Sequence, residues 1–333
     1  MGLGDAGGTA VLIVYIARRL AQSLLLLLAM SLIVFVSVYA IGDPVEILVS
    51  PQATIKEIEQ TRVALGLDQP LWRQYLLFLG NALQGDLGRS FIFHQPALSL
   101  VFSRLGATLE LALTALVLST ALGISIGLVA ALRAGDWIGR TIMAGSIAGL
   151  SLPTFWVGTL LVMFFGIWLG WLPAIGRGQV ATFLGVTSSL FTRDGLAHVI
   201  LPASTLALGN TALIIRLTRS GAVEALQSDY VRFARAKGLS PTRIVGVHVL
   251  KSVLIPLSTI VGLEFGGLVA FSVVTETIYA WPGMGKLIVD SIGVLDRPVI
   301  VAYLMMVALL FVVINLVVDL LYRALDPRVG PGT

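Results

Sequence analysis

Six long apolar stretches limit what this chain can fold into. A helix needs about 20 mostly apolar residues to cross the hydrocarbon core of a bilayer, and water-soluble domains rarely contain stretches of this length. The chain is therefore predicted to be an all-α integral membrane protein with six transmembrane helices. The predicted spans are Leu20–Ile41, Ala107–Leu132, Thr141–Leu169, Val199–Leu217, Val253–Phe271 and Val299–Tyr322.

The composition agrees with a membrane as the solvent. Of the 333 residues, 57% are hydrophobic and 12% are charged, against roughly half and a quarter in an ordinary soluble domain. The formal net charge is +4, but the basic residues are scattered over short loops, so the charge favours membrane topology over nucleic-acid binding. The sequence contains no cysteine, which excludes disulfides and thiolate metal sites.

The third apolar stretch is long enough to raise the question of two crossings. Two helices of about 20 residues with a turn do not fit between Arg140 and Trp171. One helix that bends near Pro153 is the prediction, because proline lacks the backbone N–H that a helix interior requires.

The distribution of charge predicts that both termini are cytoplasmic. Six spans put the termini on one face, and that face carries most of the Lys and Arg residues of the short loops, as cytoplasmic faces do. The first apolar stretch is longer than the core of a signal peptide, so it is predicted to stay as a helix. Residues 1–19 are predicted to form a short helix in the membrane interface. The alternative is that they extend the first span.

Residues 42–106 are predicted to be a folded external segment. Thr54 and Glu57 have the spacing of a capping box for a helix that Gly66 can close, and Pro70 can begin a second helix. These helices could dock a partner or pack over the outer ends of the spans. Composition alone favours packing.

Glycines four residues apart occur in three of the predicted spans. Such pairs let helix backbones approach closely where lipid provides no hydrophobic drive, so they predict helix packing rather than a function. The pairs are Gly123 with Gly127, Gly145 with Gly149, and Gly262 with Gly266.

The sequence lacks the patterns of catalysis. The three histidines lie in or next to loops, and neither H-E-x-x-H nor G-x-S-x-G occurs. The stretch from Gly283 to Lys286 resembles part of a phosphate-binding loop, but Leu287 replaces the required Ser or Thr, and Ala280 replaces the leading glycine. The chain is therefore predicted not to be an enzyme and to bind no cofactor or metal itself. If ATP drives it, another chain must hydrolyse the ATP.

The loop between the fourth and fifth spans, residues 219–251, is predicted to fold as a helical hairpin. One helix can end at Gly238, and Ser240 with Pro241 can begin the next. Helix connections commonly have about 2 to 8 residues, so a loop of this length with capping signals is more than a tether. The alternative is a loop that is long and basic only because it faces the cytoplasm.

The same loop resembles the EAA loop of bacterial ATP-binding cassette (ABC) importer permeases, in the form found in the dipeptide, oligopeptide and nickel permeases. From residue 229 it reads D-Y-V-R-F-A-R-A-K-G-L-S. Further stretches are similar to that family in the same order along nearly the whole chain, most closely to the B-type permease subunit. They are Gly42–Pro44, Leu65–Trp72, Gly85–Gly88, Ala107–Leu111, Ser151–Trp156, Glu276–Gly285, Asp319–Tyr322 and Leu325–Arg328.

This resemblance implies a permease core over residues 107–328 and a location in the bacterial inner membrane. It implies that the hairpin is a coupling helix, which sits in a groove of a cytoplasmic ATPase and passes the closure of the ATPases to the spans. The implied partners are a second, related permease, two ABC ATPases that bind ATP and Mg²⁺, and an external solute-binding protein.

The resemblance also assigns residues to the ATPase contact. Small Ala234 and Ala236 are expected to allow close approach, and Gly238 to make the turn. The family's leading glutamate is Arg232 here, as is common in the peptide-type branch. The residues implied at the contact are Asp229, Tyr230, Arg232, Phe233, Ala234, Arg235, Ala236, Lys237 and Gly238.

Polar groups within or next to spans are candidates for the translocation path or its gate, because they are expensive in lipid. Glu264 in the fifth span could attract an amino group or a cationic side chain, or it could bond to another helix. Glu276 is expected to serve packing or gating. Trp281, Pro282 and Gly283 are expected to form a rigid corner that helps to seal the closed state.

Two functions from different classes remain. The first is a permease subunit of an ATP-driven, binding-protein-dependent importer, with di- or oligopeptides as the expected substrates. Nickel, opines, glutathione and sugars stay open, because similar permeases handle them. The second is a secondary transporter or channel that acts alone. That function needs a relay of acidic residues at mid-membrane, for which Glu264 is weak support.

Overall fold

The computed structural model describes residues 5–40, 54–64 and 67–325, and this part of the chain is mostly helical. The predicted features at Gly42–Pro44, at Gly66 and at residues 326–328 lie outside the described residues. The helices are α1 (Asp5–Ala40), α2 (Ile55–Ala64), α3 (Leu71–Leu83), α4 (Ala97–Leu132), α5 (Trp137–Ser151), α6 (Thr154–Leu161), α7 (Arg193–Gln227), α8 (Asp229–Ala236), α9 (Pro241–Arg243), α10 (Leu250–Ile278), α11 (Met284–Gly293) and α12 (Arg297–Leu325).

Short elements connect some of these helices. A π-helical turn follows α6, and a second one joins α9 to α10. Between the first π turn and α7, two antiparallel strands pair with Ala181 opposite Ser188 and Phe183 opposite Val186. These elements are the π turns Val162–Trp168 and Ile244–Val249, the strands β1 (Ala181–Phe183) and β2 (Val186–Ser188), and the 3₁₀ turn Ser189–Phe191.

Five of the described helices contain a stretch that is long and apolar enough to cross a membrane. A sixth crossing exists if the bent pair of Trp137–Ser151 with Thr154–Trp168 counts as one span. The candidate stretches within the other five are Ala17–Ser37, Ala97–Leu132, Arg193–Gln227, Pro241–Ile278 and Arg297–Asp319.

The bend predicted near Pro153 is a full break between α5 and α6. The two helices meet at 104°, so the predicted continuous helix from Thr141 to Leu169 is wrong. Leu152 is extended, with ψ at 131°, as expected for a residue that precedes proline. Pro153 is extended as well, with ψ at 129°, so the helical hydrogen bonding stops and restarts.

Several helices extend beyond their predicted limits. Helix α1 runs without a break through Arg19. One helix therefore stands where a separate interfacial helix and a first span were predicted. No proline or glycine lies between Val11 and Ala40 to interrupt it. Helix α4 begins at Ala97, ten residues before the predicted start, and therefore takes up the end of the predicted external segment.

The described chain divides into two compact units. The first consists of the described residues up to 103 together with residues 290–312, and the second of residues 104–289 together with residues 313–325. In the first unit, helix α3 packs on α1. The Tyr75 hydroxyl lies 2.8 Å from Ser31 Oγ, and the ring centres of Phe35 and Tyr75 are 5.4 Å apart. On the same helix Trp72 and Leu76 are exposed.

The capping box predicted for α2 is present. The backbone N–H of Thr54 donates to Glu57 Oε2 at 2.7 Å, and the backbone N–H of Glu57 donates to Thr54 Oγ1 at 3.4 Å. The predicted second helix begins after Pro70. Two short helices therefore follow α1, as the capping signals indicate.

Helix α7 is the centre of the second unit. A Cβ atom at Gly123 of α4 would lie 2.6 Å from Ile214, and one at Gly127 would lie 2.6 Å from Thr218. A Cβ atom at Gly262 of α10 would lie 2.7 Å from Val318. These distances are far below van der Waals contact, so the predicted role of these three glycines in close helix packing is confirmed. Nothing lies within 4 Å of a Cβ at Gly145.

Candidate functional site

The hairpin predicted after the fourth span is present, and its arms continue the neighbouring helices. Helix α7 runs on to Gln227, α8 follows Ser228, and α9 leads through the π turn into α10. Gly238 ends the first arm with a positive φ of 76°, and its N–H donates to Arg235 O at 2.9 Å. The Ser240 hydroxyl accepts from the N–H of Arg243 at 3.4 Å. The predicted helix end and helix start are therefore confirmed.

Helix α8 has one buried face and one exposed face. Val231 and Ala234 are buried in a core with residues of α4, α7, the second π turn and α10. That core contains Ala131, Ala222, Ala225, Val231, Ala234, Ile244, Val249 and Val253. Ala234 therefore packs against the chain's own core instead of lying on the exposed face, because it falls on the same side of the helix as Val231.

The exposed face of α8 combines an aromatic ring with several cations. Phe233 is 62% exposed and Tyr230 is 46% exposed. The Lys237 ammonium lies 4.5 Å from the centre of the Phe233 ring, which is cation–π geometry. The other predicted contact residues also lie on the exposed surface; they are Asp229, Arg232, Arg235, Ala236, Lys237 and Gly238.

The second set of predicted residues lies at the corner between α10 and α11, residues 279–283. Trp281 is completely buried, and its indole N–H donates to the backbone oxygen of Ala107 at 2.9 Å. Gly283 is buried as well, and a Cβ atom there would overlap the carboxylate of Glu276. Pro282 is half-buried. The structure thus brings these residues together as a packed corner.

Glu276 is the centre of that corner. Its carboxylate accepts hydrogen bonds from Thr108 Oγ1 at 2.7 Å, from Ser272 Oγ at 3.0 Å and from the backbone N–H of Lys286 at 3.0 Å. The last donor belongs to the first turn of α11, where a carboxylate complements the helix dipole. The Thr108 hydroxyl also accepts from the N–H of Met284 at 2.8 Å. With its oxygens occupied in this way, Glu276 joins α4, α10 and α11.

Sequence reasoning missed a second buried carboxylate, Glu110 of α4. Arg177 Nη2 lies 2.5 Å from Glu110 Oε2, and the backbone N–H and the hydroxyl of Ser189 also donate to this carboxylate. The Arg177 guanidinium carbon lies 5.9 Å from the centre of the Trp281 ring. A glutamate in an apolar helix signals that a partner exists. Because that partner is 67 residues away, the sequence could not identify it.

Glu264 lies apart from these clusters. It is half-buried within α10, and it has no hydrogen bond or ion pair within the described part of the chain. The structure therefore places the predicted residues in three locations, which are α8 with the turn at Gly238, the α10–α11 corner and the middle of α10.

Comparison with known proteins identifies the family. Residues 123–331 match the family described as binding-protein-dependent transport system inner membrane component, and residues 12–112 match its N-terminal counterpart. The glutathione transport system permease protein GsiC of Escherichia coli K12 is 39% identical over 316 residues. The di/tripeptide transport system permease protein DppB of Pseudomonas aeruginosa is 40% identical over 334 residues. Each alignment covers 95% of this chain and 98% of the relative.

A solved structure has the same fold. It is the inward-facing MetNI methionine ABC transporter, with a TM-score of 0.54 and 20% identity, over 69% of this chain and 98% of that chain. The relatives are permeases, the non-catalytic membrane components of ABC transporters. The chain therefore belongs to the family of binding-protein-dependent transport system inner membrane components, and it is a multi-pass permease subunit of a peptide-type ABC importer.

Proposed function

We propose that this chain is one of two related permeases that form the pore of an ATP-driven importer of di- and oligopeptides. Two ABC ATPases, which bind ATP and Mg²⁺, and an external solute-binding protein complete the importer. The exposed face of α8 carries this proposal. It presents Phe233, which is 62% exposed, among cations on a helix that is anchored to the chain's own core.

In the proposed arrangement the bent pair α5–α6 crosses the membrane once, so that the chain has six spans. Both termini and the α8 hairpin then face the cytoplasm. This orientation places Arg232, Arg235 and Lys237 on the side where positively charged residues are enriched.

The packing of α8 explains how an ATPase could move the spans. Val231 and Ala234 are buried beside residues of α7 and α10, and α7 and α10 are themselves candidate spans. A force on α8 is therefore passed directly to two spans. ATPase closure then shifts a two-state equilibrium from inward-open to outward-open, because the closed ATPases bind one state better than the other.

The proposed substrate class follows from the relatives. One is named as a glutathione permease and another as a di/tripeptide permease, and the chain aligns with both over nearly their whole length. A transporter or channel that acts alone is the competing function. It would require this chain to move its substrate without an ATPase.

The test is the binding of the ATPases to the permease with Phe233→Ala. Aromatic residues at the centre of an interface commonly contribute more than 1 kcal/mol, which is more than about fivefold in affinity. We expect the variant to retain less of the ATPase on purification and to lose coupling between ATP hydrolysis and uptake. Phe183→Ala on β1 is the matched control, since Phe183 is also 62% exposed. Uptake by the purified chain alone, without nucleotide, would contradict the proposal.

A further inference from the structure

Helix α3 has an exposed apolar face in addition to the face that packs on α1. Trp72, Leu76 and Leu83 are exposed, and their spacing of four and seven residues places them on one side of the helix. Arg73 is the only charged residue among the thirteen of α3, and it lies outside this face. Three large apolar side chains in one line are more than the scattered apolar residues that are normal on a surface in water.

The contact with α1 shows the depth at which α3 lies. Tyr75 meets α1 at Ser31 and at Phe35, and Phe78 meets it at Phe35. The stretch of α1 that can cross a membrane ends at Ser37. Ser31 comes six residues and Phe35 two residues before that end, so at 1.5 Å per residue the contacts lie about 9 Å and about 3 Å inside it. Helix α3 therefore lies beside the last turns of the crossing stretch and not beyond them.

The polar groups of this contact satisfy one another. Ser31 Oγ donates to the backbone oxygen of Leu28 at 2.8 Å, so the hydroxyl of Tyr75 donates the bond that joins it to Ser31 Oγ. Ser31 is buried by the contact. Polar groups inside a bilayer need partners within the protein, because hydrocarbon offers none. The contact is therefore compatible with a lipid environment.

The surface of α1 next to the contact is itself apolar and exposed. Leu32 and Val36 directly follow the two contact residues Ser31 and Phe35, and both are exposed. Only 11% of the crossing stretch of α1 is buried, so lipid is the natural covering for most of this helix. The apolar face of α3 adjoins that surface, since α3 packs on the same turns of α1.

We propose that α3 is inserted in the outer leaflet of the bilayer, with Trp72, Leu76 and Leu83 against lipid. An amphipathic helix in the membrane interface buries its apolar face about 5 to 10 Å deep, which agrees with the depth of the Ser31 contact. Tryptophan is enriched at this level of the membrane. The outer leaflet follows from the cytoplasmic amino terminus proposed above, and the lipid contact goes beyond the proposed function.

Helix α2 is the internal comparison for this inference. Four of its ten residues are charged, against one of thirteen in α3. Charged side chains on this scale keep a helix in water, because each is costly to bring into lipid. Of the two short helices that follow α1, only α3 is therefore inserted, and it anchors the segment between α1 and α4 to the membrane.

The test uses single cysteines, since the chain has none of its own. Leu76→Cys on α3 is matched by Val63→Cys on α2, because these side chains are 56% and 54% exposed. Leu83→Cys with Ile55→Cys, at 83% and 87% exposed, is a second pair. Each cysteine carries a nitroxide in the importer, assembled in vesicles with partner subunits made free of cysteine. Electron spin resonance measures collisions of the nitroxide with oxygen, which concentrates in lipid, and with a nickel chelate, which stays in water.

We expect oxygen to dominate the collisions at both α3 positions, as at Leu32→Cys on α1, and the nickel chelate to dominate at both α2 positions. Dominant nickel collisions at Leu76 would place α3 in water and refute the inference. Low values with both reagents at Leu76, either at once or only after the solute-binding protein is added, would show that a protein covers this face, and they would also refute it.

Discussion

Gly238 should be the most sensitive position in the α8 hairpin. Its φ of 76° is a left-handed conformation, which costs an ordinary L-residue about 1 to 2 kcal/mol and a β-branched residue more. No heavy atom lies within 4 Å of a Cβ placed on Gly238, so the cost of Gly238→Val is conformational and not a steric clash. Because valine is β-branched, its cost is at least about 1 to 2 kcal/mol, and the ratio of the native turn to its alternatives falls by at least about 5- to 30-fold.

The assay for Gly238→Val measures uptake and ATP hydrolysis by the assembled importer in the same vesicles. We expect normal membrane insertion, reduced uptake, and ATP hydrolysis that no longer depends on substrate. Gly246→Val is the matched control, since Gly246 also has open space around its Cβ position but no positive φ. If both variants take up substrate at the same rate, the reasoning from backbone conformation is wrong.

Two further predictions concern carboxylates outside the hairpin. Glu110→Gln should lower the free energy of unfolding by about 3 kcal/mol, because it leaves the mostly buried Arg177 unpaired. Thermal denaturation of the purified importer measures this loss of stability. The double variant with Arg177→Met should regain part of the loss. The hydrogen bond from the backbone N–H of Thr54 holds the pKa of Glu57 below its ordinary value of 4.5. The stabilisation of α2 by the Glu57 carboxylate is therefore complete above pH 4.5. It is lost as the pH falls through the lower pKa of the folded state. Hydrogen exchange of the first amides of α2 at pH 7 and pH 3 tests this, and equal protection at both values would contradict it.

The elements that depend on local patterns were predictable. The length of the apolar stretches identifies the span helices, and capping residues identify the starts of α2 and α9, because both effects act within one or two turns. The turn at Gly238 belongs to this class as well. Pro153 indicates a disruption, but its local effect did not reveal the 104° break, because the angle depends on what α5 and α6 each pack against.

The functional residues were only partly predictable. The sequence identified the α8 stretch, but it could not tell that Ala234 is buried while Ala236 is exposed, since that depends on which face meets α7 and α10. It named both Glu264 and Glu276 as candidates for the translocation path or its gate, and it expected packing or gating for Glu276. Only the structure shows their surroundings, since Glu276 accepts hydrogen bonds from three described donors and Glu264 has no described donor.

What the sequence by itself determined is the class of protein, the position of its apolar helices, and the hairpin with its turn residues. These follow from hydrophobicity and backbone preference, which act on neighbouring residues whatever the rest of the chain does. Only the tertiary structure decided the pairing of Glu110 with Arg177 and the enclosure of Trp281. Each of these joins residues that are tens of positions or more apart, and such contacts exist only after the helices pack in one register.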